Sequence, residues 1–359
     1  MSPSMRRVLC SVVGVMMAMP GAAQAAQKSV DMGVPRASQK AFQNVGSDVN
    51  DFFPHRVTIH VGDTVRFVPV AFHTVDLPGR RTKKLPIITP NGQPIAGAVD
   101  AAGVPFWFNG QSGVGFNPVL LRSSFGKRFA YTGATAINSG LPLARRPKAM
   151  TVRFTRAGTF RYFCDVHYGM VGRVRVVARN RPVPSASQDA RTVRDQLATT
   201  LRTAKSLVAN ATPPPNTVEI GLQGKGGTSF FGFVPNQLTV PTGTTVNFRM
   251  GARSEVHTAT TGPGDPVKEP NSYLGVLAAS LATPAFDPRA VLPSEPPGTV
   301  GALTPTLHGN GFWNTGALDL DPATDPVVGP NSSVRFAAPG TYQLYCMIHP
   351  FMHGTVTVQ

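Results

Sequence analysis

One pattern occurs twice in this chain and limits what it can fold into. Gly158-Thr-Phe-Arg-Tyr-Phe-Cys164-Asp-Val-His167-Tyr-Gly-Met170 and Gly340-Thr-Tyr-Gln-Leu-Tyr-Cys346-Met-Ile-His349-Pro-Phe-Met352 share their residue order and a Cys-x2-His-x2-Met spacing, 182 residues apart. In the second copy Tyr342 and Leu344 alternate with polar residues, the period of a half-buried strand. Each cysteine therefore ends a strand, and the His and Met that follow it lie on a loop. A thiolate, an imidazole and a thioether are held within seven residues. With one more imidazole from elsewhere they make the donor set of a blue-copper electron-transfer site, two His and one Cys with a weak axial Met.

With these residues the chain resembles the cupredoxins, the plastocyanin- and azurin-like blue copper proteins. The second loop is most similar to that of amicyanin. In that family the remaining His lies upstream, after a strand of the form Pro-x-x-hydrophobic-Thr-Val-x-x-Gly-x-Thr-Val-x-Phe. Both halves carry a version of it. Pro54 to Phe67 is followed by Phe72-His73-Thr-Val, and Pro235 to Phe248 by Val256-His257-Thr-Ala. The offsets stay near 182 over more than 100 residues, which marks a tandem duplication. The resemblance implies two copper ions. One is held by His73, Cys164, His167 and Met170, the other by His257, Cys346, His349 and Met352. The first loop has Tyr168-Gly169 where the second has Pro350-Phe351, and Asp165 places charge beside its thiolate, so the first centre is expected at the lower potential.

Length and composition agree with two all-β units. The chain has 359 residues, room for two domains of roughly 150. Its 36 Gly and 34 Pro punctuate short Thr- and Val-rich runs, which reads as tandem Greek-key β-sandwiches. The expected division is a signal peptide at 1–26, a first domain at 27–180, a linker at 181–216 and a second domain at 217–359. Residues 27–52 are polar and read as loose at first, with an edge strand for the first domain. Each half holds a Pro/Gly-rich insertion between its upstream His and its Cys, and loops this long are seldom idle. The insertions close on related signatures, Ile137-Asn-Ser-Gly140 and Phe312-Trp-Asn-Thr-Gly316. Starting just after a ligand His, they are expected near the copper.

Arg6-Arg7, the apolar run Val8–Met19 and Ala23-Gln-Ala25 read as a secretory leader, too short to span a bilayer. Cys10 leaves with it, and the two remaining cysteines occupy equivalent positions in separate repeats, so a mutual disulfide is not expected. In the linker, Ser185-Ala-Ser-Gln188 reads as a capping box. Val193, Leu197, Leu201, Ala204 and Val208 share one helical face, and Pro213-Pro-Pro215 ends it.

Charge is uneven. Residues 28–180 carry 21 Lys and Arg against 7 Asp and Glu, and residues 216–359 carry 6 against 9. A basic first domain suits an acidic redox partner or an anionic surface. No nucleic-acid motif is present. Two-domain relatives that are enzymes, nitrite reductases and small laccases, need further copper bound only by histidines, commonly through His-x-His pairs, and this chain has no such pair. The expectation is an exported, periplasmic or extracellular electron carrier with two type 1 copper ions. Copper buffering without a redox partner, and an oxidase or reductase with an added interfacial copper, are the alternatives.

Overall fold

The computed structural model describes residues 25–80, 84–320 and 329–359. Residues 1–24 of the expected leader, Cys10 among them, lie outside the described residues.

The fold is all-β, built from two sandwiches with the same strand order. In the first, one sheet runs Phe52–Phe53, Gln27–Met32, Thr64–Pro69, Met150–Phe154, Arg128–Tyr131. The other runs Ile137–Asn138, Asp76–Leu77, Gly158–Phe163, Val171–Val177, Arg56–His60. The second repeats this. Thr228–Val234, Thr217–Gln223, Thr245–Met250, Asn331–Phe336 and Gly301–Leu303 form one sheet. Trp313–Asn314, Thr260–Thr261, Gly340–Tyr345, His353–Val358 and Gln237–Val240 form the other. Alternation along the strands sends one side chain in two to the core. Val57, Ile59, Val65, Phe67, Val152, Phe154, Val174 and Val176 are buried together in the first sandwich. Val246, Phe248, Val334, Phe336, Leu344, Val356 and Val358 are buried together in the second.

Residues 27–52 are built into the sandwiches rather than loose. Gln27–Met32 pairs on both sides, with Phe52–Phe53 and with Thr64–Pro69, so it is an interior strand. Its polar look hid Val30, Met32, Val34 and Phe42, all buried. After the helix Arg36–Gln43 the chain crosses over, and Ser47–Val49 adds an edge strand to the second sandwich by pairing with Thr228–Phe230.

The linker helix spans Ala186–Leu207 and carries the capping box. Ser185 Oγ accepts from the Gln188 N–H, and the Ser185 N–H donates to Gln188 Oε1. Val193, Leu197, Leu201 and Ala204 pack on Val34, Phe42, Val49 and Phe53, while Val208 is exposed. Lys28 pairs with Asp189 at 2.7 Å, and Gln196 donates to Asp51 and to the Phe52 carbonyl. No helix among the described residues is long and apolar enough to cross a membrane.

The two insertions fold against each other. The first makes a hairpin, Ile88–Pro94 with Ser112–Phe116, and the second makes the helices Tyr273–Ser280 and Pro288–Val291. Phe106, Phe108 and Val114 from one share a buried cluster with Leu274, Leu277, Val291 and Phe312 from the other, and Met347 joins it. Backbone bonds seal the joint, Phe116 N–H to the Pro284 carbonyl and Phe286 N–H to that of Val114. Trp107 donates its indole N–H to the Pro293 carbonyl at 2.9 Å.

Candidate metal centres

Each cysteine sits at the end of an inner strand, and a closed turn follows it. The Cys164 N–H donates to the Met170 carbonyl at 3.0 Å and the Cys346 N–H to that of Met352 at 3.3 Å. The turn brings His167 and His349 back over the cysteines from which they are three residues removed. His73 and His257 arrive from loops pinned by the signatures that close the insertions. Ser139 Oγ accepts from the Val75 N–H at 2.9 Å, and Thr315 Oγ1 from the Ala259 N–H at 2.9 Å. These equivalent bonds explain why Asn-Ser-Gly and Asn-Thr-Gly recur.

The result is two triangles, the first buried and the second buried but for a half-buried His349. In the first, His73 Nδ1 and His167 Nδ1 are 2.9 Å apart, and Cys164 Sγ lies 4.0 and 3.7 Å from them. In the second, His257 Nδ1 and His349 Nδ1 are 3.1 Å apart, and Cys346 Sγ lies 3.8 and 3.9 Å from them. A first-row ion with bonds of about 2.0 Å to nitrogen and about 2.3 Å to sulfur, as zinc has in proteins, suits triangles of this size. Among the described residues these are the two groups of His, Cys, Asp or Glu whose ligand atoms converge in this way. Met170 and Met352 are 2% and 1% exposed and share the buried clusters of Cys164 and Cys346.

Burial favours the neutral form of all six Cys and His groups. Burial pushes both thiols up and all four imidazoles down, His73 to about 3 and His349 to about 4. The neutral imidazoles are the form that ligates metal. Each sulfur already accepts a backbone N–H, from Thr74 or Thr258, at 3.3 Å, and Cys346 accepts a second from His349. Such bonds stabilise thiolate charge and tune a bound metal. The centres differ beside the sulfur. Asp165, held by Thr74, Asn138 and the Leu85 N–H, occupies the place that Met347 takes in the second.

Other contributors were invisible in sequence because they act through space. Gly33 and Gly221 back the two upstream imidazoles so closely that a Cβ would lie 2.9 Å from His73 Nε2 and 2.7 Å from His257 Nε2. Glu255, 4% exposed, lies between the two centres. Its Oε2 is 3.6 Å from His167 Nε2 and 3.8 Å from His349 Nε2, and its Oε1 accepts from Asn50 Nδ2. Burial pushes its carboxyl up to about 8. Two clefts, each of about 560 Å³, open on either side of His167, Glu255 and His349. The insertions wall one with Ile88, Phe116, Leu281 and Phe286, as their position after the ligand His suggested. The remaining histidines lie elsewhere: His353 is exposed, and His308 sits between Asp100 and Glu295.

No protein-family model matches this chain, and no curated protein matches it in sequence. Solved structures similar to it are cupredoxins. A mutant plastocyanin of fern is 22% identical and covers 40% of this chain and 99% of its own, at a TM-score of 0.21. A purple cupredoxin from Nitrosopumilus maritimus is 18% identical and covers 40% of this chain and 98% of its own, at 0.21. The reduced Cu(I) form of an amicyanin variant is 17% identical and covers 43% of this chain and 90% of its own, at 0.21.

Proposed function

We propose that this chain is an exported protein of two tandem cupredoxin-like domains that holds two type 1 copper ions and carries electrons. The observation that supports it most is the pair of Cys/His/His triangles. His73, Cys164 and His167 would hold one ion with Met170 as the weak axial ligand, and His257, Cys346 and His349 the other with Met352. Copper so held supplies a one-electron couple. The chain's own residues supply the rest. Buried imidazoles and N–H···S bonds fix the ligands in place, so little has to move between oxidation states. The clusters around Cys164 and Cys346 exclude water.

An acidic redox partner for the first domain is part of the proposal. Arg161, Arg173 and Arg56 lie opposite one another on three adjacent strands and are all exposed. Like charges in register cost stability, and a partner of opposite charge offsets that cost.

The test is a redox cycle. The copper-loaded protein should be reduced and reoxidised reversibly, with both ions retained and the thiolate-to-copper band lost and regained. Capture of Cu(I) that cannot be reoxidised would replace this reading with copper buffering.

A further inference from the structure

From the place of Glu255 we infer that the two centres form one coupled pair, with Glu255 as the positioning residue that joins them. This rests on the copper reading above. The carboxylate stands in the loop Glu255-Val256-His257, two residues before a ligand of the second centre. It reaches across the interface to the ligand of the first. The same oxygen faces both loop imidazoles, at 3.6 and 3.8 Å, just outside direct hydrogen-bond range. With Nδ1 turned to the sulfur in both rings, a metal held there would leave the proton on Nε2, and both Nε2 atoms lie beside the same Glu255 oxygen.

The arrangement is built rather than incidental. Asn50 donates to Glu255, Ser254 and Ser229, and its own N–H is fixed by the Gly227 carbonyl at 2.8 Å. It follows directly on the strand Ser47–Val49, the segment that leaves the first sandwich to pair with the second. A buried carboxylate is costly unless positive charge lies close. With metal bound, the imidazoles of His167 and His349 would supply that charge from both sides. One carboxylate would thus be shared by two centres, so a change of charge at either alters the field at the other, and His167–Glu255–His349 is a polar path between them.

The experiment is spectroelectrochemistry of the copper-loaded full chain, wild type and Glu255→Gln, which keeps the shape and removes the charge. Asn50→Ser, which frees the carboxylate without removing it, is a second variant. Ring nitrogen NMR of the zinc-loaded protein is read in parallel. Removing the anion should shift the potentials of both centres upward together. It should also slow electron exchange between them and move the Nε2 signals of His167 and His349 while leaving those of His73 and His257. A shift at one centre alone, or no shift with both coppers retained, would overturn the coupling and leave the copper reading standing. Failure of the wild type to bind copper would overturn that reading instead.

Discussion

Gly221 and His257 are packed so tightly that no other residue fits between them. Gly221 has φ +65°, and a Cβ added there would lie 2.7 Å from the ring's Nε2. Gly33 stands in the same relation to His73, with φ +101° and 2.9 Å. Gly221→Ala is therefore expected to displace a ligand imidazole and strain the backbone, costing about 1–3 kcal/mol. Copper per chain and the visible band, read beside thermal unfolding, check it. The second centre should lose copper or change colour while the first keeps its copper and its band, and Gly33→Ala should do the converse.

Asn314 closes the second insertion and is 1% exposed. Its Oδ1 accepts from Thr260 Oγ1 and the Gly316 N–H, and its Nδ2 donates to the Arg289 carbonyl. Asn314→Ala takes a partner from each of these groups, of which Thr260 Oγ1 keeps Thr258 Oγ1, a loss of roughly 2–4 kcal/mol. Denaturant unfolding should show the lower midpoint. The loop that carries His257 should loosen with it, because Thr315 bonds the Ala259 N–H beside it.

Trp107 ties the first insertion to the second through Pro293. Trp107→Ala is expected to cost about 2–4 kcal/mol, since a partly buried indole and its hydrogen bond are both lost. Hydrogen exchange should rise in Ile88–Pro94 and Ser112–Phe116, and copper content should stay at wild-type level.

His308 supplies a pH dependence. Its Nδ1 is 3.1 Å from Asp100 and its Nε2 3.5 Å from Glu295. Burial disfavours its charge, but the two carboxylates outweigh burial and raise its pKa. A raised pKa means that its stabilising contribution is full below the ordinary histidine value of 6.5 and is lost as pH rises through the folded value. His308→Asn tolerates the positive φ of 52° at this position. The gap in melting temperature between wild type and this variant should be larger below pH 6.5 and close as pH rises through the raised folded pKa.

Where the chemistry was local, the sequence carried it. Cysteine and histidine lie three residues apart, and a strand ending at the cysteine brings their ligand atoms together. The linker helix was legible because Ser185, Gln188 and the apolar face are all local signals. The rest was set by distant pairings. Gly33 meets His73 and Gly221 meets His257 only once the sheets form. Glu255 looks like an ordinary acidic loop residue until the two halves meet. The insertions read as loops from their Pro and Gly, but the packing of Phe106 and Phe108 on Leu274 and Phe312 has no local mark. The polar stretch 27–52 concealed the strand Gln27–Met32 because that strand's buried residues, Val30 and Met32, are few.

The central claim is that both triangles hold copper through thiolate. The most direct measurement is copper per chain together with the visible spectrum of the Cu(II)-loaded protein, for wild type, Cys164→Ser and Cys346→Ser. Two coppers and a strong thiolate-to-copper band, each reduced by about half in either variant, is the predicted result. One copper, lost in only one variant, or no such band at all, would contradict it.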